Sequence, residues 1–93
     1  MDDDLDAVFK ALADRTRRLV LDRLRERGEQ RLVDLCAHLE MSRQAVSKHV
    51  AILEAAGLVH TTRRGRDKLH NLDPGPVDDI YLRWISHYQL TYR

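Results

Sequence analysis

Leu5, Val8, Phe9 and Leu12 recur at i, i+3, i+4 and i+7, the spacing that keeps four apolar side chains on one face of a helix. The pattern predicts a first helix over residues 4–13. The aspartates at its start, Asp2 to Asp4, stand where the helix dipole favours negative charge. Asp14 then has the short carboxylate of an N-cap, and Val20, Leu21 and Leu24 predict a second helix closed by Gly28. Its arginines read as a solvated face, with Arg17 and Arg18 as lesser candidates for touching a phosphate. Leu32, Leu35, Cys36 and Leu39 repeat the first spacing and predict a third helix over about residues 31–40. After the short Glu40-Met41 link, Ser42 is a second good cap. Val46, Val50 and Leu53 mark the buried stripe of a fourth helix, and Gly57 sits where a left-handed cap belongs.

Beyond Gly57 the period changes. Leu58 to Thr62 and Lys68 to Leu72 are rich in strand formers and flank Arg63-Arg64-Gly65-Arg66, which predicts a hairpin with a basic tip. Asp73-Pro74-Gly75-Pro76 breaks the chain, and Pro76 suits the first turn of a last helix, with Asp78 and Asp79 complementing its dipole. Val77, Ile80, Tyr81, Trp84, Ile85, Tyr88 and Tyr92 make the apolar stripe of that helix. No repeat or low-complexity linker interrupts the order, so residues 1–93 read as one domain. It is mainly α with a small β-hairpin: a winged helix-turn-helix of order α-α-α-α-β-β-α.

The polar side of the fourth helix carries the candidate chemistry. Arg43, Gln44, Ser47 and Lys48 lie opposite the buried stripe, near the amino end, where a recognition helix presents donors to the major groove. Arginine pairs with guanine and glutamine with adenine through two hydrogen bonds each, whereas serine and lysine suit phosphates. The bland alternative is a solvated helix face. Arg63, Arg64 and Arg66 at the hairpin tip suit the minor groove or flanking phosphates, against the plainer reading of a charged turn.

Charge sharpens this picture. The net charge is only +1, but residues 42–72 hold six basic and two acidic side chains, while residues 1–41 hold eight basic and ten acidic. Positive charge is concentrated in the segment assigned to DNA, where phosphate neutralisation supplies affinity independent of sequence. No run approaches the roughly 20 apolar residues of a membrane span, and the acidic start is unlike a signal peptide. With one cysteine, no disulfide framework is possible, and the expected location is the cytoplasm. Cys36, on a core stripe, reads as a small buried hydrophobe. His60 and His70, about equidistant from Gly65, are expected to face one another across the hairpin, an incomplete set for zinc. No phosphate loop, nucleophile–base pair or carboxylate pair points to catalysis, so an enzyme is not expected.

At this point the chain resembles the ArsR/SmtB family of small repressors. The resemblance lies in Phe9-Lys10-Ala11-Leu12-Ala13-Asp14-Arg15-Thr16-Arg17, in Ser42 to Val50, in Leu53 to Val59 and in the wing, and covers the chain from Val8 to about Leu72. It implies a homodimer, built mainly from the first and last helices (4–13 and 76–92), that represses transcription from a palindromic operator and is released by an inducer. On that resemblance Ser42 and His49 join the DNA-binding set, with His49 either touching the backbone of DNA or packing under its helix. The implied dimer contacts are Leu5, Val8, Phe9, Ile80, Tyr81, Trp84 and Tyr88. Tyr81, Trp84 and Tyr88 suit an interface core or the lining of an effector pocket, the former being the commoner use of such a stripe.

Relatives that sense metals use cysteines on the third helix, where this chain has Arg31 and Val33. A second family site pairs Asp and His on the last helix, where Asp78 lacks a histidine two residues on and His87 stands alone. No metal or cofactor is therefore expected, and the resemblance identifies no effector. Two alternatives remain beside the repressor. One is a sensor with a non-standard ligand or metal site using Cys36, His38 or the wing and tail histidines. The other is a winged helix used for protein–protein contact.

Overall fold

Two short polar side chains start the helices that position the site. Asp14, in extended backbone, accepts the amide of Arg17 at 3.0 Å and starts α2 (Arg15–Arg27). Ser42 accepts the amide of Ala45 at 3.2 Å and starts α4 (Arg43–Ala55). Each satisfies an amide that the first turn of a helix leaves without a partner. The computed structural model describes the backbone of residues 3–89 and the side chains of residues 5–88. Tyr92, the end of the final helix beyond residue 89, Asp2 and the side chains of Asp3 and Asp4 lie outside the described residues.

The first helix, α1 (Asp3–Leu12), ends on a contact that sequence spacing did not announce. Arg17 donates from Nε to the Ala11 carbonyl at 2.8 Å and from Nη2 to the Lys10 carbonyl at 3.1 Å, and Arg18 donates from Nη1 to Leu12 at 2.8 Å. The two arginines read as solvated or phosphate-facing instead cap the last carbonyls of α1. Guanidinium there complements the negative end of the dipole. α3 (Leu32–Leu39) begins one residue later than expected, with Arg31 preceding it, and closes through Glu40 at φ 55.

At the far end of α4 the chain turns through Gly57, at φ 80. The Gly57 amide donates to Glu54 at 3.0 Å and the Leu58 amide to Leu53 at 2.9 Å, the paired bonds of a Schellman closure. Leu53 and Leu58, both fully buried, supply the hydrophobic contact that accompanies it. The closure sends the chain directly into β1 (Val59–Arg64), paired antiparallel with β2 (Asp67–Leu72). Gly65 at φ 63 takes the first of two loop positions, where side chains are disfavoured.

The register corrects one expectation. His60 pairs with Asn71 and His70 with Thr61, so the two histidines lie on opposite faces of the hairpin. Because residues directly across a ladder share a face, an odd offset between them separates the rings. His70 points inward and is 6% exposed. Gln30 adds a one-residue bridge to the edge of β2, its amide donating to the His70 carbonyl at 3.0 Å and its carbonyl accepting from the His70 amide at 2.7 Å.

The last helix starts at Gly75, one residue before its expected proline, as α5 (Gly75–Ile80). It passes through a π turn (Tyr81–Ile85) and ends as α6 (Ser86–Gln89). The core lies between α2, α3, α4 and the root of the hairpin, where Val20, Leu24, Leu35, Val46, Leu53 and Leu58 are fully buried. The chain is elongated, with a longest extent of 47 Å and a radius of gyration of 14.4 Å. A compact chain of this length would have about 12 Å.

Candidate nucleic-acid interface

α4 is held by one side and offered by the other. Val46, Val50 and Leu53 are buried in the core, whereas Ser42, Arg43, Gln44, Ser47 and Lys48 are all exposed. Arg43, Gln44, Ser47 and Lys48 fall at i, i+1, i+4 and i+5, a single helical face, and with Leu32 they line one open depression. Their position in the first turns adds the positive end of the helix dipole to the charges of Arg43 and Lys48. The helix is anchored by its buried stripe and its polar tips are solvated, an arrangement that suits the reading of base edges.

His49 is turned away from this group. Its ring is largely covered, with Nδ1 buried, without a hydrogen-bond partner, and 3.9 Å from Asp14 Oδ1. Of the two expectations for His49, packing beneath the helix is the one the geometry favours. Asp14 therefore meets two elements, capping α2 and facing α4. The Arg17 amide holds its carboxyl below the usual range; burial opposes this, and the charges of Arg17 and His49 add to the lowering.

The hairpin brings its tip to the same side. Arg63, Arg64 and Arg66 are exposed. Arg64 is engaged within the chain, its Nη1 lying 2.9 Å from Glu29 Oε1. Arg66 instead lines a concavity with Arg31, Leu32, Arg43, Lys68 and His70, between the starts of α3 and α4 and the inner face of the hairpin. The sequence reading missed Arg31, Lys68 and Glu29 as neighbours of the interface. Lys68 had a legible signal, since strand alternation places it on the same face as His70. Arg31 and Glu29 had none, because only the Gln30 bridge draws their loop toward the hairpin.

A relay running from an exposed carboxylate to a buried imidazole ties the hairpin to α4. The Thr61 hydroxyl donates to Glu54 of α4 and lies 2.9 Å from His70 Nδ1. Burial pushes the His70 ring below its ordinary imidazole range, while the Glu54 carboxylate pulls the other way.

On another part of the molecule, α1 and the final helix expose an aromatic cluster. Trp84 meets Phe9 edge-on, ring centres 5.9 Å apart, and meets Tyr88 at 5.7 Å. Trp84 is 53% exposed, Tyr88 57% and Leu82 63%, and Phe9 and Tyr81 are also open to solvent. Two of the expected dimer contacts are placed differently. Val8 and Ile80 are buried in the protomer's own core, because they lie on the inward edges of their stripes. Leu5 is half-buried beside them. Cys36 is half-buried and packs on the core.

Comparison with known proteins agrees with this geometry. The model of the bacterial regulatory protein, arsR family, matches residues 14–61, from the α2 cap into the hairpin. An uncharacterized HTH-type transcriptional regulator of Bacillus subtilis, YuzN, is 41% identical over 92 residues, covering 92% of this chain and 100% of its own. The transcriptional repressor SdpR of the same organism is 31% identical over 81 residues, 87% of this chain and 88% of its own. Among solved structures, an ArsR-like transcriptional regulator from Rhodococcus sp. RHA1 superposes with a TM-score of 0.79 at 30% identity. That match covers 96% of this chain and 86% of the other.

Proposed function

The chain belongs to the ArsR family of bacterial regulatory proteins and is a DNA-binding transcriptional regulator; from that premise we propose that it works as a homodimeric repressor of a palindromic operator. The observation that carries this reading is the exposed quartet Arg43, Gln44, Ser47 and Lys48, held outward by a buried stripe on the same helix. Arg43 and Gln44 read base edges in the major groove, and Ser42, Ser47 and Lys48 bind phosphates. Arg63 and Arg66 reach the flanks, with Arg64 joining them only where DNA displaces Glu29. His49 positions α4 against Asp14 and is no longer assigned a DNA contact.

The dimer is built on the cluster around Trp84, with Leu5, Phe9, Tyr81 and Tyr88 beside it and Val8 and Ile80 as its inner backing. Exposed aromatics of this density are the usual centre of an interface. Repression is supported by the likeness to SdpR, which is named a transcriptional repressor. The place of action is the cytoplasm, where the chromosome is. No helix among the described residues is long and apolar enough to cross a membrane.

Selection of bound duplexes from a random library, at two salt concentrations, tests the reading. The expected product is a twofold-symmetric site with half-sites about one helical turn apart, roughly 34–36 Å. Enrichment of an asymmetric site overturns the dimeric mode, and no enrichment overturns sequence-specific binding.

A further inference from the structure

We propose that the concavity between the starts of α3 and α4 and the inner face of the hairpin seats a phosphate of the DNA backbone, with Arg31 and Lys68 joining Arg66 as its ligands beside the base-reading Arg43. The proposal rests on the DNA-binding reading and extends it to two residues outside the recognition helix and the hairpin loop.

Three elements far apart in sequence contribute to the seat. Arg31 precedes α3, Arg43 opens α4, and Arg66 and Lys68 belong to the hairpin; the lining of this space of about 380 Å³ contains one carboxylate, Asp67. Four cations, set against Asp67 and the Asp34 that pairs with Arg31, leave a net positive concavity. Cations converging from several sides suit a compact anion, whereas a base edge asks for donors and acceptors in one plane.

Strand pairing places a further cation, Arg63, on the same face of the hairpin, outside the lining of the concavity itself. Arg63 and Lys68 are directly opposed in the ladder, on the face that carries His70 two residues further along β2. Like charges placed opposite one another destabilise a hairpin. A bound phosphate relieves that repulsion, and the pairing then serves the ligand rather than the fold.

Arg31 is prepared for the role. Its Nε and Nη2 donate to the two oxygens of Asp34, at 3.3 and 3.4 Å. A guanidinium has five N–H groups, so the fork is oriented by Asp34 with donors to spare. Asp34, and more weakly Asp67, keep that charge in place. The concavity is also continuous with the recognition face, because Leu32 and Arg43 line both. A phosphate in it therefore sits next to the bases that Arg43 faces.

The test is the salt dependence of duplex binding by the full chain, compared with Arg31→Gln and Lys68→Gln, each checked for its circular dichroism spectrum. Each substitution is expected to reduce the magnitude of the log–log salt slope by about 0.9, the value for one phosphate contact. Each should weaken operator and random duplex by the same factor, and Arg31→Lys should recover the slope. Unchanged slopes in both variants overturn the seat, as does a loss confined to the operator, which would make these residues base readers. Titration with inorganic phosphate separates the other source of this chemistry. Saturable binding of free phosphate with unchanged duplex slopes assigns the concavity to a small anion and overturns the proposal. If the unaltered chain binds no duplex at all, the DNA reading itself falls, and the seat with it.

Discussion

α4 and the final helix both turn an exposed surface outward, yet they are joined to the core in opposite ways. α4 sends Val46, Val50 and Leu53 inward, and what remains outside is charged and polar. The final helix, among its described residues, buries Ile80 and leaves Trp84, Tyr88 and Leu82 more than half exposed. The first surface is finished by one chain and needs only a polar ligand. The second leaves apolar area in water and is finished by apolar contact. A single amphipathic rule gives two different surfaces, according to whether the apolar half of the helix is already buried in the chain's own core.

The contrast can be broken at its anchored side first. Leu53→Ala removes a fully buried side chain behind the reading face and is expected to cost about 2–5 kcal/mol in urea unfolding. A loss well below that range would mean the face does not depend on the core behind it. On the unfinished side, Trp84→Ala is expected to weaken dimerisation by about 2 kcal/mol or more while leaving the thermal melt of the monomer nearly unchanged. Sedimentation velocity reads the shift, and an intact dimer at low micromolar concentration would remove the final helix from the interface.

Arg43→Ala tests the finished surface at its tip. It should cost about 1–3 kcal/mol on the operator and less on random duplex, measured by fluorescence anisotropy. Equal losses would make Arg43 a phosphate contact alone. The smallest effect concerns the relay that fixes the hairpin. The His70 ring is held below the ordinary value of about 6.5, so the unfolded chain binds a proton that the folded chain resists. Stability from this source is complete above that pH and is lost as pH falls through it toward the folded value. Melting points at pH 7.5 and 5.5 should differ in that sense, and His70→Gln should narrow the gap.

The spacing of apolar residues located α1 to α4 to within a residue or two, because their stripes face a single core. The exposed polar face of α4 was legible for the same reason, since Arg43, Gln44, Ser47 and Lys48 are what the buried stripe leaves outside. What stayed hidden depends on contacts between segments. The roles of Arg17 and Arg18 follow from where α1 ends in space, and His49 is decided by the position of Asp14. The opposition of His60 and His70 failed on a register offset of one, which distance from Gly65 does not resolve. The Gln30 bridge is a single residue and has no period to detect. Nor does any pattern in Tyr81–Ile85 distinguish a π turn from an α turn, because both keep apolar residues three to four apart.

Asp14 sits at the elbow between α1 and α2, starting α2 and facing His49 of α4, while Arg17 closes α1. In the proposed assembly of two subunits joined through α1, that elbow would set the angle between α1 and α4. A small tilt there would be magnified into a change in the distance between the two reading helices. The stretch of base pairs between the halves of the proposed operator would then become a ruler for one bend in the chain. Any molecule that alters the bend would alter which operators fit, without touching DNA.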